Sequence, residues 1–121
     1  DQFTLAIQPG DRNYIIYSLS GDIHFANDLT GCLNKKKGIV EEVSSSFTNI
    51  KEHSYTFKYE NTDDGKSFAK ITDFNLQEGS SIRIYCQNWS KETEEKRNFM
   101  DMLTVNIAPR KYLDWLNNEA Y

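Results

Sequence analysis

Gly65, Lys66 and Ser67 sit inside the stretch "YENTDDGKSFAK" (Tyr59 to Lys70), and those three letters are the ones that close a phosphate-binding loop. Such a loop needs a further glycine five positions earlier, with a helix to follow, so that backbone amides and the helix N-terminus can surround an anion. Position 60 is Glu60, a carboxylate where phosphate should approach. The residues that follow, "SFAKITDFN", favour extended chain and have no helical period. A calcium loop fails on similar grounds. With Gly65 as its glycine, the first and last ligand positions fall on Glu60 and Ile71, and the bidentate glutamate is missing. The remaining chemistry is conformational. Asp64-Gly65 is a strong hairpin signal, because a type I′ turn needs positive φ at both central residues.

Nucleophile sets are equally thin. Ser44 to Ser46, His24 and His53 are the candidates for a hydrolase of the serine type, but no Gly-x-Ser-x-Gly occurs and the serine run reads as a polar helix end. Cys32 and Cys86 fall on apolar faces, where a thiolate is disfavoured. The adjacent acids, Glu41 with Glu42, Asp63 with Asp64 and Glu94 with Glu95, read as solvated turns and helix surface rather than a buried acid-base pair. Two cysteines and two histidines, none at ligand spacing, give no metal site. The residues therefore point to no catalytic group, no metal and no cofactor. Asn88-Trp89-Ser90 spells an N-glycosylation acceptor, a tripeptide common by chance.

The two cysteines suit one disulfide. Cys86 shares a face with Ile82 and Ile84 in "SIRIYCQNW", and Cys32 shares a helical stripe with Phe25 and Leu29, so both sulfurs are expected in the core. Bonding them would tie a helix to a central strand and favours an oxidising compartment. The chain starts at Asp1 and enters a strand-like run at Phe3, which fits removal of a signal peptide or a trimmed boundary. The expected location is periplasmic or secreted.

These pieces need a scaffold. At 121 residues, 38% of them hydrophobic and 13% aromatic, residues 1–121 are expected to fold as a single domain. No apolar run reaches the roughly 18 residues of a membrane span. A net charge of -4, from 18 acidic and 14 basic side chains, disfavours nucleic acid as a partner. The small basic clusters, Lys35 to Lys37 and Arg110 with Lys111, read as solvated surface.

Alternation of Phe3, Leu5 and Ile7, then "PGD", then "NYIIYSLS" predicts a hairpin. From about Phe25 to Phe47 the apolar residues recur every three or four positions, as in an amphipathic helix. Gly31 and Gly38 interrupt it, so it divides in two or begins near Asn34. Four strands follow, "SYTFKYE", "SFAKITDFNL", "SIRIYCQNWS" and "FMDMLTVNIA", with "KETEEKRN" as a charged turn. Pro109 then opens a short helix carrying Tyr112, Leu113, Trp115 and Leu116. The expected fold is α+β: an antiparallel sheet of about six strands, one long amphipathic helix packed on it, and a short C-terminal helix.

With no catalytic set, the expected activity is binding to another protein. Tyr85 and Trp89, on the face opposite Ile82, Ile84 and Cys86, are expected to be covered by the C-terminal helix with Tyr112 and Trp115, or else to join the carboxylates Asp63, Asp64, Glu94 and Glu95 in an interaction surface. An inhibitor or immunity role comes first, because acidic excess suits charge-steered pairing. An adaptor or adhesion module, a small-ligand carrier with a cavity lined by Val43, Phe57 and Phe74, and a small hydrolase remain as alternatives. The oligomeric state and the partner's identity are left open.

Overall fold

A computed structural model describes residues 2–7, 16–77 and 79–109. It is an α+β fold with an antiparallel sheet, as the patterning predicts. The strands are β1 (Gln2–Ile7), β2 (Ile16–His24), β3 (Lys51–Lys58), β4 (Phe68–Asn75), β5 (Ser81–Asn88) and β6 (Met102–Ala108), in the spatial order β1-β2-β6-β5-β4-β3. Helix α1 (Leu29–Ser46) carries the chain from β2 to the far edge, and the meander from β3 to β6 returns it to β2. The predicted hairpin of β1 and β2 is present, with a bulge between Ala6 and Ile7; its connection lies outside the described residues. So does the expected C-terminal helix, with Arg110, Lys111, Tyr112 and Trp115.

Helix α1 lies over β5, with a lesser footprint on β6. Phe74, Ile82, Ile84, Cys86 and Leu103 are buried beneath it with Cys32, and Leu29, Leu33, Ile39, Val40 and Val43 pack on from the helix. The Cys32–Cys86 disulfide joins the helix to β5 across 54 residues, with the two Cα atoms 6.2 Å apart. Among the described residues every buried side-chain polar atom has a partner.

Several local expectations are corrected. The helix neither divides nor begins at Phe25 or Asn34. It starts after Asp28, whose carboxylate accepts from Gly31 N–H at 2.9 Å as an N-cap. Gly31 is part of that cap, since a Cβ there would collide with the Asp28 side chain, whereas Gly38 faces open space. Lys36 is not wholly solvated surface: it fills a gap in the apolar stripe and donates to Thr72 Oγ1 at 2.7 Å, and Thr72 in turn meets Ser54 Oγ at 2.8 Å. Burial holds the Lys36 ammonium below the usual lysine pKa, against the attraction of Glu52.

"KETEEKRN" is a helix and not a turn. Helix α2 (Lys91–Arg97) is capped by Ser90, whose side chain accepts from Thr93 N–H, and ends on Asn98 in the left-handed conformation. Acids Glu92 and Glu94 in its first turn and bases Lys96 and Arg97 in its last complement the helix dipole. The β3–β4 connection is also longer than a two-residue turn. Tyr59 N–H donates to Ser67 O, Thr62 N–H to Tyr59 O and Gly65 N–H to Thr62 O, so two turns succeed one another. Positive φ falls on Asp63 and Gly65, not on Asp64. A Cβ on Gly65 would stand 2.9 Å from Glu60 O, which explains the glycine of the Gly-Lys-Ser triplet without any ligand.

Candidate interaction surface

The strand register sorts side chains by parity, and the face turned away from α1 has its own organisation. Tyr55 on β3 lies opposite Ile71 on β4, which lies opposite Tyr85 on β5, and that opposite Thr104 on β6. A second row runs His53, Asp73, Arg83 and Asn106, and a third Phe57, Ala69, Gln87 and Met102. Phe57 therefore lies on the opposite side of the sheet from Phe74 and Val43, and the cavity imagined between those three does not form. Because β3 is an edge strand, Phe57 keeps 51% of its exposure.

Between these rows is an open groove of about 380 Å³ lined by Tyr55, Phe57, Tyr59, Ile71, Arg83, Tyr85, Gln87 and Asn106. Its walls are fixed by hydrogen bonds. Asp73 accepts from Arg83 Nε at 2.7 Å, from Arg83 Nη2 at 3.1 Å and from the Tyr55 hydroxyl at 3.0 Å. That two-pronged pairing holds the guanidinium firmly charged. The Tyr55 hydroxyl is pushed above the usual tyrosine pKa, by desolvation first and then by its bond to the Asp73 carboxylate. At the other end Gln87 Nε2 donates to the Tyr59 hydroxyl at 3.1 Å.

An aromatic run continues from the groove. Phe57 meets Tyr59 edge-on with centroids 5.2 Å apart, Tyr59 lies 4.8 Å from Trp89, and Trp89 lies 4.8 Å from Phe99. The backbone at Trp89 is anchored, its amide N–H donating to Asp101 Oδ1 at 2.7 Å. Phe99 and Met100 are 40% and 49% exposed, so the run ends in an apolar margin open to solvent.

The residues expected to form the surface divide. Tyr85 and Trp89 belong to the open face; whether the C-terminal segment meets them lies outside the described residues. Asp63 is engaged internally, accepting from Thr93 Oγ1 at 2.9 Å and Arg97 Nε at 3.0 Å, and its side chain keeps only 11% of its exposure. These bonds, Arg97 first, hold its carboxyl below the usual range. Asp64 is likewise lowered, by Ser90 and by the Lys66 N–H that it accepts at 3.1 Å. Glu94 and Glu95 stand on α2, and Glu94 contributes its backbone oxygen to the Asn98 cap. Of the groove residues, the sequence marks Phe57 only as the wall of a ligand cavity, and does not mark Tyr55, Arg83 or Gln87 as site residues. Tyr55, Phe57 and Tyr59 alternate with polar residues and so share a face, but only the strand register shows that this face is also the face of Tyr85.

His24 and His53 sit on β2 and β3, with β6, β5 and β4 between those strands. Ser45 and Ser46 donate to Glu42 O at the end of α1. Among the described residues no three His, Cys, Asp or Glu side chains form a metal-binding group, and no helix is long and apolar enough to cross a membrane. The chain matches no protein-family model, no curated protein and no solved structure.

Proposed function

We propose that this protein is an exported, non-enzymatic domain, periplasmic or secreted, that acts by binding another protein in an inhibitor or immunity role, and that contact is made on the sheet face opposite α1. The observation that carries this reading is the solvent-open groove with its aromatic run. Rigid aromatic side chains with few rotatable bonds supply large contact area at low entropy cost, which is why interface centres use them. Tyr55 is already fixed by Asp73, and Tyr59 by Gln87, so binding need not order them. Glu94 and Lys91 of α2 line a hollow with Trp89 and put charge at one end of the run, where it suits a rim that steers encounter more than it adds affinity. The internal disulfide supports export, because such bonds persist in oxidising compartments.

A photo-crosslinking residue placed at Phe57 in cells that make the protein tests this. The expected result is one defined adduct with a protein other than this chain from position 57 and none from position 41, on the outer surface of α1. Equal labelling from both positions, or none from 57, would overturn the assignment. An inhibitor further requires that the purified domain lower the activity of the protein captured; unchanged activity would leave the adaptor role instead.

A further inference from the structure

Among the described residues strand β3 is an edge of the sheet, and seven of its eight residues are exposed. Tyr59 N–H donates to Ser67 O, which sets the phase of the β3–β4 ladder. In an antiparallel pair the backbone groups of alternate residues bond the neighbour while those between point away. Glu52, Ser54, Thr56 and Lys58 therefore turn their N–H and C=O groups outward, and none of these groups has a partner among the described residues. Unpaired edges of this length are templates for another strand.

We propose that the occupant is a second copy of the chain, its β3 running antiparallel to the first about a two-fold axis at Tyr55. A two-fold perpendicular to the sheet keeps each face on its own side, so only residues of like parity can stand opposite each other. Centred on Tyr55, the register places Ser54 opposite Thr56, His53 opposite Phe57 and Glu52 opposite Lys58, each twice. Opposite charges and paired rings in cross-strand positions stabilise such a ladder. Centring on Ser54 puts Glu52 opposite Thr56 and forms no ion pair. Centring on Thr56 puts Glu52 opposite Glu60, like against like. Lysines on an edge ordinarily guard it, but here Lys58 finds its counter-charge on the same strand of the other copy. Nothing in α1 obstructs the approach, since the helix lies over β5 and β6. The pairing makes the two aromatic faces continuous.

Sedimentation equilibrium of the full chain from about 1 µM to about 1 mM tests the pairing. The expected result is a concentration-dependent dimer. Glu52→Lys and Lys58→Glu should each weaken it at least about tenfold, by opposing like charges at two places, and the double exchange should recover it to within about threefold. Lys58→Glu is the cleaner single variant, because Glu52 also attracts Lys36. Thr56→Pro, which removes an outward donor and leaves the β4 ladder intact, should give a monomer with an unchanged far-ultraviolet spectrum. A wild-type monomer throughout the range, or a double exchange no tighter than the singles, would overturn the proposal.

Discussion

Arg97 Nε and Asp63 Oδ2 lie 3.0 Å apart, and Thr93 Oγ1 donates to that same oxygen at 2.9 Å. One carboxylate oxygen thus fastens α2 to the β3–β4 loop, 30 residues from Thr93 and 34 from Arg97. Because these donors depress the Asp63 pKa, the folded state releases its proton more readily than the unfolded one. The resulting stability is fully present above about pH 4 and is lost as pH falls through the lowered value. Urea midpoints measured from pH 6 down to pH 2 should fall less steeply for Asp63→Asn than for the wild type.

Removing the disulfide has a larger effect. The bond closes 54 residues, for which chain entropy gives about 4 kcal/mol. Cys32→Ala with Cys86→Ala should lower the urea-unfolding free energy by roughly that amount. Both sulfurs are buried under α1, so some of the loss is packing. A loss under about 1 kcal/mol would mean that the unfolded chain is already compact.

Two glycines should respond in opposite directions. Gly38→Ala adds a methyl group into open space on a helix and should stabilise by about 0.5–1 kcal/mol. Gly65→Ala forces a side chain into positive φ against Glu60 O and should destabilise by about 1–2 kcal/mol. Thermal melts of the two variants, compared with wild type, check the signs.

The Tyr55 hydroxyl reports on the groove. Its raised pKa means a contribution to stability that is full below about pH 10 and lost as pH rises through the folded value. Asp73→Asn removes the charged acceptor and should move this titration downward, read at 295 nm as the difference between proteins with and without Tyr55→Phe. An unmoved titration would show that desolvation alone sets it.

Much of the scaffold could be read from periodicity. Alternation in "SIRIYCQNW" and the helical stripe through Cys32 put both sulfurs in the core because burial imposes periods of two and about 3.6. What escaped was decided by tertiary context. The charges of "KETEEKRN" look like a solvated turn until Ser90, the dipole-matched ends and the Asp63 anchor are seen to favour a helix. Asp63 looks like a free carboxylate until α2 is placed beside it. The groove is hidden for a further reason: its walls come from β3, β4, β5 and β6, and parity within one strand does not give the register that decides which residues of the next strand share its face.

The loop between Tyr59 and Ser67 falls inside the covalent ring that Cys32 and Cys86 close. A protease that severs the backbone there separates no piece from the rest, since each fragment carries one half of the cystine. The nicked molecule would run at full mass until a reductant is added. Where peptidases are present, this hairpin can be cut without the body coming apart.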